Sequence, residues 1–219
     1  MTSGPAPAGP AAGPAFDAVV LAGGTGRRLG GAAKPEVTLH GRRLLDHALG
    51  ATAGAGRVVV VAPPAVDVPA GVVRALEDPP HGGPVAGVAA GLAALGPAPA
   101  PVVLVLACDV PGAGAAVPRL LAAAAGTGDD GAARPDGACL VDDARREQWL
   151  VAVYRTDRLR AALAGEDVRG MPVRAVARRL TLVAVPARPG EAADVDTWEQ
   201  LRDLEGAGGA GHDKAPPLP

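Results

Sequence analysis

Short, uninterrupted apolar runs recur along the chain. They are Ala18–Leu21, Val58–Val61, Val72–Leu76, Val102–Leu106, Ala138–Val141, Leu150–Tyr154 and Thr181–Val185. Runs without polar alternation predict strands buried on both faces. Helical patterns alternate with them over Leu44–Ala53, Val85–Leu95, Ala115–Ala125, Asp157–Leu163, Val173–Arg179 and Trp198–Leu204. Thr197, with Gln200 three residues on, forms a capping box that starts the last of these. Strand, loop, helix, strand is the rhythm of an α/β three-layer sandwich with a mostly parallel central sheet. Residues 1–15 and 206–219 show no periodicity and are expected to be disordered tails, leaving one folded domain over 16–205. Gly126–Pro135 reads as a surface insertion.

Composition narrows the chemistry. The chain has 219 residues with 31 Gly and 23 Pro, and its aromatics are Phe16, Trp149, Tyr154 and Trp198. Its single Ser, Ser3, sits in the first tail, which excludes a serine hydrolase. Two Cys, Cys108 and Cys139, cannot build a zinc ribbon, and two lone thiols suit a reducing, cytoplasmic setting. So few aromatics and a net charge of −2 argue against nucleic-acid partners. No stretch approaches the ~20 apolar residues of a membrane span, so no membrane partner is expected. The sequence sets no oligomeric state.

The first strand runs into LAGGTGRRLGGAAKP, Leu21 to Pro35. Ligands of α/β proteins bind where such strands end. Gly23, Gly24, Gly26, Gly30 and Gly31 allow close backbone approach and converging N–H groups, and Arg27, Arg28 and Lys34 add cations. The combination suits a triphosphate. Two familiar phosphate loops fail on residues: Ala32 stands where the Walker pattern needs Lys, and Leu29 where the dinucleotide pattern needs its last Gly. Arg is the default cation here, yet Lys34 is the one Lys of the expected folded region. A compact ammonium there fits a phosphate ligand.

LAGGTGRRLGGAAKP resembles the signature of the nucleotidyltransferases with a GT-A-like, Rossmann-like fold, and among them the molybdenum cofactor guanylyltransferases. The resemblance extends more weakly over Phe16 to Leu204. It implies nucleotide binding by Leu21, Ala22, Gly23, Gly24, Gly26 and Lys34, with Arg28 and Lys34 holding the leaving phosphates. Asp109, in Cys108-Asp109-Val110-Pro111 after the strongest apolar run, matches the acid that binds Mg²⁺ in that family; its alternative reading is a helix N-cap. Cys108 reads as a small buried neighbour. Asp78 precedes GPVAG, the second signature, and matches an acid that contacts the nucleotide. The register there admits Glu77 instead, and a solvated turn is the other alternative. His81 either touches substrate or is solvated.

Asp194 or Asp196 gives the metal a second oxygen, or both serve the positive end of the last helix. Where the guanylyltransferases tend to carry an Asn after the second strand, this chain has Val61. Arg145, Arg146, Gln148 and Trp149, read as a turn between two strands, either hold a planar phosphorylated pterin or form an exposed hairpin. Trp198 reads as a packing residue. The resemblance therefore implies a Mg²⁺-dependent enzyme that takes a nucleoside triphosphate, GTP first, and a phosphorylated small-molecule acceptor, molybdopterin first. Cytidylyl or other nucleotidyl transfer to a pterin, sugar or polyol phosphate, and a non-catalytic nucleotide-binding module, are the alternatives.

Overall fold

The computed structural model describes residues 15–23, 33–126 and 134–209. A seven-stranded sheet forms its centre, in the order β5-β4-β1-β6-β8-β7-β9. The strands are β1 (Phe16–Leu21), β4 (Val58–Val61), β5 (Val73–Ala75), β6 (Val102–Ala107), β7 (Gly137–Val141), β8 (Glu147–Arg155) and β9 (Leu182–Pro186). Two further strands, β2 (Thr38–Leu39) and β3 (Arg42–Arg43), make a separate small hairpin. The turn residues His40 and Gly41 take φ of 49° and 74°, which lets so short a hairpin close.

β1, β4, β5 and β6 run parallel, with Val19 opposite Val59 and Val105. β8 runs antiparallel to both β6 and β7, and β9 returns parallel to β7. The expectation of a mostly parallel sheet is met, with β8 as the reversed strand.

Alternate residues of each strand face opposite layers. Ala18, Leu104, Leu106 and Val153 pack with α3 (Val117–Ala125), while Val20 and Val60 pack with α1 (Leu44–Gly50). Val19, Val59, Val103 and Val105 face the other way, onto α2 (Pro84–Ala94), α4 (Thr156–Leu163) and α5 (Val173–Ala177). These layers are built almost wholly from Val, Leu and Ala. Tight packing replaces bulk: a Cβ on Gly91 of α2 would stand 2.4 Å from Val19 Cγ1. A small satellite core joins Val37, Leu39 and Leu44 to Val195 and Leu201 of α6 (Trp198–Gly209).

Several boundaries differ from the sequence expectation. α6 continues to Gly209, past both Leu204 and the expected domain end at Glu205. The helix expected from Ala115 begins as a 3-10 stretch over Pro111–Ala116 and becomes α-helical only at Val117. Gln148 and Trp149 are not in the hairpin turn but in β8, where a register shift beside Cys139 and Leu140 lets the strand begin at Glu147. Trp198 is 47% exposed rather than a packing residue. Nearly all of the first expected tail, most of the second and most of the expected insertion fall outside the described residues. Among those described, no helix is long and apolar enough to cross a membrane.

Candidate active site

The carboxyl ends of the four parallel strands open onto one crevice, the usual ligand position in open α/β sheets. A cavity of about 340 Å³ lies there. It is lined by Leu21 at the end of β1 and Gly23 just after it, Val61 of β4, Glu77 and His81 after β5, and Cys108 and Asp109 after β6. Gly83, Pro84 and Gly87 of the α2 entry complete one wall. Gly83 has φ of 91°, a conformation that suits glycine at the sharp entry to α2. Gly24, Gly26 and Arg28, together with the rest of 24–32, lie outside the described residues.

Lys34 reaches this cavity from a 3-10 turn over Lys34–Glu36. Its Nζ donates to Asp109 Oδ2 at 2.7 Å and to Asp196 Oδ1. The side chain is only 12% exposed. Burial alone would lower the Lys34 pKa, but hydrogen bonds and charge from Asp109 and Asp196 outweigh it and raise the value above 10.5. The group is an ammonium throughout the neutral range.

Asp109 makes no capping bond to the 3-10 stretch that follows, whose N-cap is Val110. Its side chain is turned to Lys34, which removes the N-cap reading. Its carbonyl accepts from Val195 N–H at 2.8 Å, so the C-terminal segment is tied directly to the β6 loop. That segment splits the Asp194/Asp196 pair. Asp194 Oδ1 accepts from the Gln200 side chain at 3.3 Å, whereas Asp196 Oδ1 accepts from Lys34. The expected capping box is present. Gln200 N–H donates to Thr197 Oγ1 at 3.2 Å, and Gln200 Oε1 accepts from the N–H groups of Thr197 and Asp196 at 2.9 and 2.8 Å.

Asp109 and Asp196 thus direct carboxylate oxygens at one cation, the Lys34 ammonium. Among the described residues no group of three or more His, Cys, Asp or Glu gathers as a metal site. Two hard oxygen donors are still what Mg²⁺ takes from a protein when phosphates and water complete its shell.

The remaining expected residues divide. Leu21 and Gly23 line the cavity. Ala22 is buried, and its N–H is spent on Val61 O at 2.9 Å, so it has none to offer a phosphate. Asp78 is exposed and does not line the cavity; Glu77, its neighbour, does. Cys108 is buried, and burial, with Asp109 beside it, pushes its thiol up to about 12.

Beyond Asp109 the crevice continues into two further cavities of about 270 and 580 Å³. Glu147, Gln148, Trp149 and Asp194 line both, and Arg146 and Arg174 line the larger. Trp149 Nε1 donates to Glu147 Oε2 at 2.9 Å. Glu147 and Arg174 escaped the sequence reading because neither sits in a recognisable motif.

A sequence model of the MobA-like NTP transferase domain matches residues 18–188. The chain belongs to this family. A molybdenum cofactor guanylyltransferase of Acidiphilium cryptum is 44% identical to it over 115 residues, 50% of this chain and 56% of that protein. The match thus spans about half the length of that curated relative. The NTP transferase domain also resembles two solved structures. Molybdopterin-guanine dinucleotide biosynthesis protein A of Archaeoglobus fulgidus aligns with a TM-score of 0.61 at 20% identity, over 89% of this chain and 99% of that one. The 2-C-methyl-D-erythritol 4-phosphate cytidylyltransferase of Thermus thermophilus aligns with a TM-score of 0.63 at 24% identity, over 88% and 98%. At these identities the structural likeness speaks for the fold, which agrees with the α/β sheet expected from the apolar runs.

Proposed function

We propose that this domain is a Mg²⁺-dependent nucleotidyltransferase that moves GMP from GTP to the phosphate of molybdopterin. The observation that carries the transfer chemistry is the Lys34 ammonium, held between Asp109 and Asp196 where the phosphate loop meets the β6 end. The guanine and molybdopterin parts rest on the similarity to the Acidiphilium enzyme.

An oxygen of the acceptor phosphate attacks the α-phosphorus of the triphosphate. The new P–O bond forms as the bond to the bridging α–β oxygen breaks, and pyrophosphate leaves with that electron pair. The acceptor oxygen is already anionic at neutral pH, so no side chain need act as nucleophile. This agrees with a chain whose Ser is confined to position 3 and whose cavity thiol, Cys108, stays protonated. Catalysis then rests on positioning and charge. Lys34 neutralises the leaving phosphates, with Arg28 and the N–H groups of the glycine loop as its partners. Asp109 and Asp196 are the residues that would hold Mg²⁺, which supplies charge neutralisation on phosphate oxygens when bound. The groove beyond Asp109 is lined by Trp149 and Arg174, with Arg146 paired to Asp142 at 2.9 Å and Glu147 and Asp194 beside them, and its indole and guanidinium groups suit a planar, phosphorylated acceptor.

The test is a thermal-shift and pyrophosphate-release panel of GTP, CTP, ATP and UTP with Mg²⁺ and a molybdopterin acceptor. GTP should stabilise most and turn over fastest, and Asp109→Ala should lose turnover. Equal response to CTP or UTP rejects the guanine assignment. Pyrophosphate release at the wild-type rate in Asp109→Ala rejects the site.

A further inference from the structure

We propose that the buried ion pair of Arg119 and Glu191 positions Asp196, and so sets where the second carboxylate stands beside Lys34. Glu191 touches no substrate; it acts through the short chain that follows it. The consequence for metal binding rests on the nucleotidyl-transfer reading above, whereas the positioning rests on geometry alone.

Glu191 is only 4% exposed, and a carboxylate so buried requires partners. Its Oε2 accepts from Arg119 Nη2 and from Arg188 N–H, the latter at 2.7 Å. Glu191 N–H in turn donates to Arg188 O at 3.0 Å. Arg119, on α3, also gives Nη1 to the carbonyl of Pro186, the last residue of β9, at 2.8 Å. One guanidinium therefore grips both ends of the turn between β9 and Glu191. Burial alone would raise the Glu191 pKa, but the Arg188 N–H bond and the Arg119 guanidinium outweigh it and hold the value below 4.5. The pair stays charged through the neutral range.

Stability is a poor reason for such a pair, because well-packed apolar side chains often do as well. Arg119 Nε is also buried with no hydrogen-bond partner among the described residues, a further cost. What the pair does supply is one fixed geometry for the turn.

That geometry leads to the site. A Cβ on Gly112 would stand 2.2 Å from Gly190 O, so the turn rests directly on backbone three residues past Asp109. Four residues after Glu191, Val195 N–H donates to Asp109 O at 2.8 Å. The chain between carries Ala192 and Asp194, which line the larger groove. Asp196 follows at once, and its Oδ1 accepts from Lys34. The capping box of α6 holds Asp196 from the helix side. Glu191 and the Val195 bond hold it from the β6 side, and releasing Glu191 removes one of those two ties.

The experiment uses the full chain as wild type, Glu191→Gln, Asp196→Asn and the double variant. The first readout is the rate at which acetic anhydride labels Lys34, followed by mass spectrometry relative to the other Lys of the chain, Lys214. Asp196→Asn should speed Lys34 labelling several-fold, because it removes an anion that covers the ammonium, and Glu191→Gln should speed it too. In the Asp196→Asn background, Glu191→Gln should add less than about 2-fold, since a residue acting through Asp196 has nothing left to act on. A wild-type labelling rate in Glu191→Gln overturns the proposal. So does full additivity, which is what general loosening of the fold produces.

The second readout is the Mg²⁺ dependence of pyrophosphate release. Half-saturation should rise about 10-fold or more in Glu191→Gln, the scale of losing a group that orients a metal ligand, with kcat changed less. A fall in kcat at unchanged half-saturation overturns the proposal as well. Arg119→Lys keeps Glu191 neutralised but cannot bridge both partners; it should give the same pattern, and it carries the test if Glu191→Gln does not fold. A wild type without Mg²⁺-dependent turnover rejects the nucleotidyl-transfer reading, and the labelling result then decides the role of Glu191.

Discussion

Replacing Lys34 with Met keeps most of the side-chain volume and deletes the charge. Two ionic hydrogen bonds are lost, to Asp109 and Asp196. Such bonds contribute about 1.5–3 kcal/mol each when well shielded. The acids are 28% and 38% exposed, so water takes over part of that interaction. A net loss of about 2 kcal/mol of folding stability follows, or a Tm roughly 4–8 °C lower for a domain of this size. Because the Lys34 pKa is raised above 10.5, its stabilisation is complete below that value and lost only as pH rises through the folded-state value. The gap between wild type and variant should therefore be flat from about pH 6 to 9. Divalent cations should respond in the opposite sense to turnover. With the ammonium gone, Asp109 and Asp196 lose the cation they share. Mg²⁺ or Mn²⁺ should then bind the variant more tightly and narrow the Tm gap. Pyrophosphate release should meanwhile fall by about 10²- to 10³-fold, the scale of losing one charge-stabilising donor. Differential scanning calorimetry with and without Mn²⁺ reads the first effect directly. A variant with wild-type Tm, or with weaker Mn²⁺ binding than wild type, refutes the clasp.

Two more outcomes follow from packing. Gly91→Ala forces a methyl group against Val19, a stiff β-branched side chain that is fully buried, and should cost about 1–3 kcal/mol in urea unfolding; a neutral effect would mean that α2 can lift from the sheet freely. Cys108 and Cys139, with thiols pushed up mainly by burial to about 12 and about 11, should resist iodoacetamide at pH 8 in the native protein and react fully in denaturant, as mass spectrometry would show.

The central strands were legible because burial on both faces leaves a plain signature. VVLVLA became β6 over the expected residues, with one more at its end. The ends of elements were not. Pro118 and the glycines near it delay α3 by a 3-10 stretch, a backbone effect that hydrophobic periodicity does not register. The hairpin β2–β3 has only two residues per strand, too few for any alternation to show.

At the site, Lys34 and Asp109 were visible because each follows a strand in a recognisable string. The pairing of Asp196 with Lys34 was not, since 162 positions separate them and it is the satellite core of Val37, Leu44 and Val195 that brings the segments together. Of the two adjacent acids, Glu77 lines the cavity and Asp78 does not, and no pattern in Pro-rich sequence registers that difference.

The bond from Val195 N–H to Asp109 O sets an order on the making of this protein. During synthesis β1, Lys34, β6 and Asp109 emerge early, and their sheet can begin to form while the rest is still being added. Asp196 arrives only after β9, beyond residue 188 where the family match ends. Until then Lys34 faces a single acid. The charged centre is completed by a segment made after every strand of the sheet, so a nascent or truncated chain can own the phosphate loop and the whole sheet and still lack half of the clasp.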